Sequence, residues 1–343
     1  MEQTMRAIVY SAPGKIELRQ LPIPEPGPGE LVVRVRAALT CGTDVKTYRR
    51  GHPKIQPPSV FGHEFAGDVF KVGEGVERFI PGIRVTANIF AGCGKCFYCS
   101  HGQDHLCEDM IYNFGAFAEF HRIPAGIVSR GTFQIPDNIS YESAAILEPL
   151  VTVVHGFKLL SMKTGETLAI LGAGGAISLL HQQLALRAGA RVIAIGHSED
   201  RLKVAEQLGA HTVINAHRED ALSVVKNLTE GRGADAVLEC AGQKATWEQA
   251  IAMVRRGGRV LWFGGLPGGS NVELDAARLH YGAINLFNTH GGTFEDAREA
   301  FALITSGAIN TKPLFSAEMP LEKLEDALQL MIAGEVVKVV IRP

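Results

Sequence analysis

Four cysteines lie close together in the first half of the chain, at Cys93, Cys96, Cys99 and Cys107. Four thiolates at this spacing can complete a tetrahedral shell around one zinc ion and leave no position for a substrate. Two disulfides would use the same residues, but a reducing compartment would not keep these cysteines oxidised. An iron–sulfur cluster also uses four cysteines and is an alternative at this point. The spacing therefore predicts a structural zinc site.

A second set of side chains of metal-binding types lies upstream, at Cys41, His63 and Glu64. A catalytic zinc needs a few protein ligands and one open position at which it can polarise an oxygen. Taken in isolation, the commoner interpretation is a core thiol at Cys41 and a hydrogen-bonded turn histidine at His63. Cys240 follows an apolar segment, and we expect it to be a buried, unreactive thiol.

A glycine-rich turn lies downstream of both sets. Gly172 and Gly174 follow an apolar segment and precede a helical pattern. Glycines here allow a tight turn and the close approach of a pyrophosphate to the helix N-terminus. The third glycine of the usual pattern is replaced by Ile177, which must push the helix outward or occupy a gap. Gly175 and Ala176 leave the turn uncrowded, so in a strand–turn–helix context it still predicts a dinucleotide site.

The predicted secondary structure around these residues differs between the first and second parts of the chain. Up to about residue 145, short β patterns are broken by glycine and proline, which predicts an irregular, mostly β domain. Strand and helix patterns then alternate regularly, which predicts right-handed βαβ units and a doubly wound parallel sheet. A final helix-then-strand pattern over residues 321–341 either extends the second domain or returns to the first.

The composition is that of a soluble globular enzyme and excludes several other classes of protein. The 343 residues suffice for two domains, with 46% hydrophobic and 20% charged residues. The net charge of −2 provides no general field for binding nucleic acid or an anionic membrane. No apolar run is long enough to span a membrane, and the N-terminus carries no secretory signal. We therefore expect a cytoplasmic protein with no nucleic-acid or membrane partner.

The order of six motifs is similar to that of the zinc-dependent medium-chain alcohol dehydrogenases, in particular their polyol (sorbitol) and threonine dehydrogenase branch. The motifs, which cover essentially the whole chain, are Cys41-Gly42-Thr43-Asp44, Gly62-His63-Glu64-Phe65-Ala66-Gly67, the four-cysteine segment, Gly115-Ala116-Phe117-Ala118-Glu119, Glu148-Pro149-Leu150 and the glycine-rich turn. The resemblance implies an α/β protein with a mostly β GroES-like catalytic domain and a Rossmann domain. It implies a catalytic domain at residues 1–146 with a structural zinc lobe at 90–110, a dinucleotide-binding domain at 147–288, and a return to the catalytic domain at 289–343.

The resemblance also implies the ligands of a catalytic zinc. Cys41 and His63 match the family's two constant ligands. Glu64 and Glu148 are the two carboxylate candidates, one able to bind directly and the other through water, and the sequence does not rank them.

A proton relay is implied just after the ligand cysteine. In the family, the hydroxyl at the position of Thr43 bonds the alcohol oxygen and passes its proton on. The usual histidine three residues later is replaced by Lys46, which passes a proton only if its pKa is lowered and is otherwise a solvated side chain. Catalytic roles are therefore expected for Thr43, Lys46 and Glu64.

The end of the second strand of the Rossmann domain bears on the choice between NAD and NADP. NAD-preferring relatives carry an aspartate there, whereas this chain has Gly196, His197 and Ser198. Gly196 is expected to leave space and no negative charge, so that a 2′-phosphate can be held by His197, Ser198 and Arg201. Glu199 and Asp200 oppose the binding of a 2′-phosphate unless their side chains face solvent at the start of the helix, where acidic residues are favoured. The sequence favours NADP slightly over NAD.

Together these features predict a zinc-dependent dehydrogenase that transfers hydride between NAD(P) and a secondary alcohol or polyol. Two zinc ions per chain are expected, with the cleft between the domains as the meeting point of cofactor and substrate. Relatives form dimers or tetramers, so a homodimer or homotetramer is expected. Threonine-dehydrogenase-like oxidation of an amino alcohol is one alternative. A zinc-free quinone or enone reductase is opposed by the ligand residues. Ile177 and Lys46 leave a catalytically silent cofactor-binding scaffold or sensor as a further alternative, although the retained ligand residues oppose it as well.

Overall fold

The computed structural model describes residues 3–343. It divides the chain into two compact units, one formed by residues up to Val151 together with Gly292–Pro343, and the other by Thr152–Gly291. Within residues 3–343, no helix has both the length and the apolar character needed to cross a bilayer.

The first unit begins with short strands and few helices. Its strands are β1 (Thr4–Ala12), β2 (Lys15–Pro22), β3 (Leu31–Leu39), β4 (Ser59–Val60), β5 (Glu64–Val72), β6 (Arg84–Ala87), β7 (Phe90–Ala91), β8 (Ile111–Tyr112), β9 (Phe120–Ile123) and β10 (Thr132–Gln134). Its helices are α1 (Gly42–Arg50), α2 (Phe97–Ser100), α3 (Ala125–Gly131) and α4 (Tyr141–Ala145), and α5 (Leu147–Leu160) leads into the second unit.

The second unit alternates strand and helix in the manner that the sequence predicts. Its further elements are β11 (Thr167–Leu171), α6 (Ala176–Arg187), β12 (Arg191–Gly196), α7 (Glu199–Gln207), β13 (Thr212–Asn215), α8 (Ala221–Leu228), β14 (Ala234–Glu239), α9 (Lys244–Met253), β15 (Val254–Trp262), α10 (Ala276–Gly282) and β16 (Asn285–Asn288). The six strands form one parallel sheet in the order β13-β12-β11-β14-β15-β16. This is the doubly wound Rossmann arrangement, in which ligands bind at the carboxyl ends of the strands where the order reverses.

The last segment of the chain completes the first unit. It contains α11 (Phe294–Thr305), β17 (Phe315–Pro320), α12 (Leu324–Ala333) and β18 (Lys338–Arg342). Strand β18 lies between β3 and β17 in a seven-stranded sheet of order β10-β6-β5-β3-β18-β17, with β9 also paired to β3. The final helix-then-strand pattern therefore returns to the first unit.

The register of this sheet brings distant parts of the chain to one end of strand β3. Leu39, the last residue of β3, pairs with Glu64 of β5 on one side and Val340 of β18 on the other. Strand β3 is buried at seven of its nine positions, and it therefore reads as a nearly continuous apolar run. Cys41 follows the end of β3 by two residues and His63 precedes β5 directly, so the sheet register itself gathers these side chains.

Candidate functional site

The four cysteines of the segment Cys93–Cys107 come together as the sequence predicts. Their sulfur atoms all lie within 4.8 Å of one another, and none of the four is in a disulfide. The Cys96 and Cys107 sulfurs are 3.8 Å apart. Because a Zn–S bond is about 2.3 Å long, the edge of a tetrahedral Zn–S₄ site is about 3.8 Å. The donor set and its spacing fit one zinc ion with a closed shell.

Backbone amides donate to sulfur atoms of this lobe and favour a thiolate at Cys96. The amides of Cys93 and Asp109 donate to Cys107 Sγ at 3.1 and 3.3 Å. Amides at Cys99 and at the residue after Cys107 lower the pKa of Cys96 to about 6. Gly92 allows the chain to pass close by, since a Cβ there would lie 2.7 Å from the Cys99 sulfur. Sequence analysis did not single out Gly92, although a glycine directly before the first ligand was a usable signal.

A second donor cluster forms at the N-terminus of helix α1. The donor atoms of Cys41, His63 and Glu64 lie within 4.8 Å of one another, and His63 and Glu64 are buried. Cys41 is the N-cap of α1, and its sulfur accepts a long, weak contact from the Thr43 amide at 3.5 Å. A helix N-terminus favours a thiolate at this position. One thiolate, one imidazole and one carboxylate form a suitable ligand set for a catalytic zinc with an open position.

Asp44 orders this cluster, although it was not among the predicted site residues. Its fully buried carboxylate accepts from the Cys41 amide at 2.8 Å through Oδ2. Its Oδ1 lies 3.1 Å from His63 Nδ1, although the two atoms are not aligned as a hydrogen bond. A carboxylate at Nδ1 leaves Nε2 as the ligand nitrogen, the arrangement common in zinc sites. The signal was the acidic residue three positions after the helix cap, which completes a capping box.

Charges around His63 act on its protonation. Burial opposes the charged imidazole, but Asp44 and then Cys41 outweigh burial and raise the pKa of His63 well above its usual value. Burial likewise raises the pKa of the Cys41 thiol. A proton held by His63 is what a cation at this site would replace, because a metal ligand must be the neutral imidazole.

The two carboxylate candidates differ in their surroundings. Both oxygens of Glu64 accept from Lys338 Nζ of strand β18, at 2.7 and 2.5 Å, and Lys338 also donates to the carbonyl of Thr40 at 2.9 Å. Glu148 lies in the first turn of α5, and burial raises its pKa to about 7. It is not one of the three residues whose donor atoms lie within 4.8 Å of one another. The geometry brings Glu64 nearer than Glu148 to the other two ligand candidates.

Helix α1 also carries the predicted relay residues. Thr43 is half-buried in its first turn, and Lys46 is exposed one turn later. The half-buried His52 follows the helix, and burial, then the charges of His63, Lys54 and Lys46, lower its pKa. The structure therefore places Thr43 beside the cluster and leaves Lys46 at the surface.

An aromatic stack extends outward from the ring of His63. The Phe114 ring meets His63 edge-on at 6.5 Å and stacks on Tyr112 at 5.2 Å. The ammonium of Lys54 lies 5.8 Å from the centre of the Tyr112 ring. Residues from Lys46 to Lys54 include four lysines and arginines and no acidic residue. This side of the cluster therefore combines an apolar wall with positive charge.

In the second unit, the glycine-rich turn follows β11 at the point where the strand order reverses. Gly172 and Gly174 adopt φ values of +81° and +99°, and a Cβ on either would meet the backbone of Ala241 or Arg201 within 3.3 Å. Gly175 is the N-cap of helix α6, which begins at Ala176. Ile177 is only half-buried, so the helix has no need to move outward.

Ser178, not Ile177, fills the buried place at the start of α6. Its side chain is 1% exposed and donates to the Gly175 carbonyl at 2.8 Å. A small residue here gives the close packing that the third glycine of the usual pattern provides. Ser178 was not predicted, because it lies one position beyond the place of the third glycine in the pattern.

The structure does not leave the open space that was expected at Gly196, the last residue of β12. A Cβ at this position would lie 2.7 Å from the Ala173 carbonyl oxygen and 3.1 Å from Leu202, so Gly196 is closely surrounded and leaves no spare room. His197 is exposed, and its ring lies 4.3 Å from that of His217, on the loop after β13. Ser198 is the N-cap of α7.

Two arginines lie beside these groups. Arg201 is partly buried, and burial lowers its pKa. Arg218, next to His217, pairs with Glu199, while Asp200 pairs with Lys203 at 2.7 Å. The two acidic residues at the start of α7 are thus exposed and already matched with cations. Sequence analysis did not identify His217 or Arg218, which no motif connects to the end of β12.

Comparison with known proteins gives two family matches. Residues 27–137 match the alcohol dehydrogenase GroES-like domain, and residues 176–306 match the zinc-binding dehydrogenase domain. The two matched segments contain the donor cluster of Cys41, His63 and Glu64, the four-cysteine lobe, and most of the dinucleotide region.

Similar proteins cover the whole chain. Sorbitol dehydrogenase of Bacillus subtilis is 32% identical, over 99% of this chain and 98% of its own length. L-threonine 3-dehydrogenase of Bacillus licheniformis is 34% identical, over 100% of both chains. Among solved structures, a protein of Sinorhizobium meliloti described as a zinc-binding dehydrogenase, bound to NADP, has a TM-score of 0.92 and 33% identity over 100% of both chains.

Proposed function

The chain belongs to the zinc-binding alcohol dehydrogenases, and on that premise we propose that Cys41, His63 and Glu64 hold its catalytic zinc and that its substrate is a secondary alcohol or polyol. The protein is an NAD(P)-dependent dehydrogenase with a GroES-like domain and a Rossmann domain. The observation that carries the proposal is the convergence of three donor types at the N-terminus of α1.

When bound, zinc supplies a Lewis acid for the substrate oxygen and the dinucleotide exchanges hydride with the substrate carbon. The side chains prepare the site for this chemistry. Asp44 fixes the imidazole of His63 and the backbone of Cys41. The Thr43 hydroxyl, half-buried two residues beyond the helix cap, takes the substrate proton and passes it toward solvent. Lys46, exposed on the same helix, receives no obligatory place in that path.

The dinucleotide is proposed to bind at the carboxyl end of the sheet in the second unit. Gly172, Gly174 and Gly175 present the N-terminus of α6 to the pyrophosphate, with Ala176 and Ile177 in the first turn of that helix. At the end of β12, Gly196 is followed by His197 and Ser198, with Arg201 on α7. The absence of a carboxylate at Gly196 and the matched acidic residues support NADP over NAD, as does similarity to an NADP-bound protein.

The substrate is best sought among compounds that fit the basic, partly aromatic side of the cluster. A screen should compare linear polyols, 2,3-diols, their phosphate esters and L-threonine, each with both cofactors. Oxidation of threonine in preference to every polyol would favour the amino-alcohol alternative. No turnover of any alcohol, with both dinucleotides bound, would favour a catalytically silent sensor.

The metal assignment is tested by zinc analysis of His63→Ala. Two zinc ions per chain are expected in the wild type and one in the variant, with turnover abolished. The exposed His280 of α10 provides a matched control, because His280→Ala removes a histidine that is remote in sequence from both donor sets. Full activity in wild-type protein that contains no zinc would contradict the proposal.

The proposed function also includes an oligomeric state and a cellular location. We propose a homodimer or homotetramer, by analogy with relatives. A reducing, cytoplasmic location is consistent with four lobe cysteines that form no disulfide. Sedimentation analysis and cell fractionation test these two points separately.

A further inference from the structure

Lys338 occupies an unusual position in the first unit. Its side chain is 2% exposed, and its ammonium donates to both oxygens of Glu64 and to the Thr40 carbonyl. These three bonds use all three ammonium hydrogens. Among residues 3–343, Lys338 is the one lysine or arginine that is buried. Its position is fixed by strand β18, whose Val339 exchanges hydrogen bonds with Thr40.

Packing alone gives no reason for a charge at this position. Replacing a buried ion pair by apolar residues of similar size is often neutral or stabilising for a fold. The anionic groups around Lys338 are Glu64, Cys41 and Glu148, each of which acts on its ammonium. Two of these three belong to the proposed ligand cluster. The lysine is therefore aimed at the metal site rather than at a general structural need.

The contact leaves Glu64 able to bind a metal, but weakly. Each carboxylate oxygen has two lone-pair directions, and Lys338 uses one on each. One direction on each oxygen is left for a metal, and the donor atoms of Cys41 and His63 lie within 4.8 Å. A carboxylate that shares its charge with an ammonium attracts a second cation less strongly, and the ammonium also repels that cation directly.

We propose that Lys338 is a positioning residue that weakens Glu64 as a ligand of the catalytic zinc. A weakly held carboxylate leaves more positive charge on the metal for the substrate. This inference rests on the proposed function of Cys41, His63 and Glu64 as metal ligands. It predicts an effect opposite to that of a structural residue, because removing the lysine should tighten the metal site.

The test compares Lys338→Met, which keeps the length of the side chain, with Lys338→Arg, which keeps the charge. Zinc transfer to a chromophoric chelator is followed for each variant, with the zinc of the four-cysteine lobe as internal reference. The Met variant is expected to hold the catalytic zinc roughly 10–100-fold more tightly. This is the magnitude by which groups that contact metal ligands change metal affinity, here with the opposite sign because the ammonium competes with the metal for Glu64. The Arg variant should resemble the wild type, and the lobe zinc should be unchanged throughout.

A spectroscopic readout shows whether Glu64 carries the effect. With cobalt in the catalytic site, Lys338→Met should shift the visible absorption bands, because the carboxylate becomes a stronger ligand. The same substitution in a Glu64→Gln background should leave those bands unchanged. Equal or looser zinc binding in Lys338→Met, with an unchanged urea midpoint, overturns the inference.

If Lys338→Met alone does not fold, the double variant Lys338→Met with Glu64→Gln tests the inference instead. Lys338→Met with Glu64→Gln removes both charges together, and it should hold zinc within about tenfold of the wild type if the two had offset one another. Weakening by a hundredfold or more would show Glu64 to be a strong ligand despite Lys338 and would overturn the inference. Failure of the double variant to fold would do the same, since it would assign Lys338 to the fold. Absence of zinc from the Cys41 site in the wild type would instead contradict the proposed function.

Discussion

At the scale of single residues, the Thr43 hydroxyl is the expected start of the proton path. Thr43→Val keeps the shape of the side chain and removes the hydroxyl, so kcat should fall roughly 10²–10⁴-fold, the usual contribution of general acid–base catalysis. Thr43→Ser is the control and should retain most turnover. Zinc content and cofactor affinity should not change. Full turnover in the Val variant, with a deuterium isotope effect showing that hydride transfer limits the rate, would remove Thr43 from the mechanism.

The preference for NADP over NAD is expected to depend on residues that follow the neighbouring strands β12 and β13. Arg218→Ala should lower kcat/KM for NADP about tenfold or more, since a hydrogen bond to a charged group contributes about 1.5–3 kcal/mol. The value for NAD should change little. Glu199→Gln is the matched control, because it releases Arg218 from its ion pair and should increase the preference for NADP. Equal losses with both cofactors would exclude a specific role in binding the 2′-phosphate.

The sequence was sufficient to pick out candidate metal ligands whose donor atoms the structure brings together, but it did not reveal the groups that orient them. Cys41, His63 and the four lobe cysteines stand in recognisable local motifs. Lys338 is 274 positions from Glu64 in the chain, and no local pattern connects the two. The space around Gly196 was likewise misjudged, because the Ala173 carbonyl that fills it belongs to another turn.

At the scale of elements, the four-cysteine lobe should depend on its metal for structure. Between Cys93 and Cys107 it contains only the four-residue helix α2 and a short 3₁₀ turn, and its Phe97 is 63% exposed. With so little apolar burial, zinc must supply much of the folding free energy. Cys96→Ser should therefore lose one zinc per chain and become sensitive to proteases within residues 93–107. Ser100→Ala, in the same helix, should change neither property.

Helix α6 carries a histidine that should make the second unit sensitive to acid. His181 is fully buried, its Nδ1 contacts the Ile177 carbonyl at 3.0 Å, and burial lowers its pKa to about 4 from 6.5. Below about pH 6.5 the unfolded chain takes up a proton that the folded chain refuses until about pH 4. Stability is therefore complete above this window and falls through it, by about 2 kcal/mol at pH 5.

His181→Leu should remove that part of the acid sensitivity. Both tryptophans, Trp247 and Trp262, lie in the second unit and stack at 4.4 Å, so their fluorescence follows its unfolding. Urea midpoints at pH 7 and pH 5 should differ less in the variant than in the wild type, whereas the exposed His280→Ala should leave the difference unchanged. The same difference in wild type and His181→Leu would show that other groups control the response.

Element types were predictable where side-chain periodicity is simple. The six parallel strands of the second unit follow apolar runs, and their regular alternation with helices was predictable from the sequence. Helix α1 was missed because its buried residues are Asp44, Thr47 and Tyr48, which give no apolar stripe. Helix α5 was missed because it is rich in valine and contains Pro149 near its start, so that local propensity opposed the structure that tertiary packing selects.

At the scale of the whole molecule, the end of the chain is essential to the first unit. Strand β18 lies between β3 and β17 in the sheet, and it carries Lys338. Deleting residues 336–343 should expose both flanking strands and abolish zinc binding at Cys41 and His63. Dinucleotide binding should survive if the six-stranded sheet of the second unit folds from its own residues. Removal of residue 343 alone is the control, and full zinc occupancy after the larger deletion would contradict this account.

The position of β18 also has a consequence for synthesis on the ribosome. Residues 41 and 63 leave the exit tunnel early, while their sheet still lacks the strand that the last residues provide. Domains tend to fold as units once their residues have emerged. The nascent first unit is therefore expected to complete its sheet, and with it the proposed site at Cys41 and His63, only after the intervening parallel sheet has been synthesised.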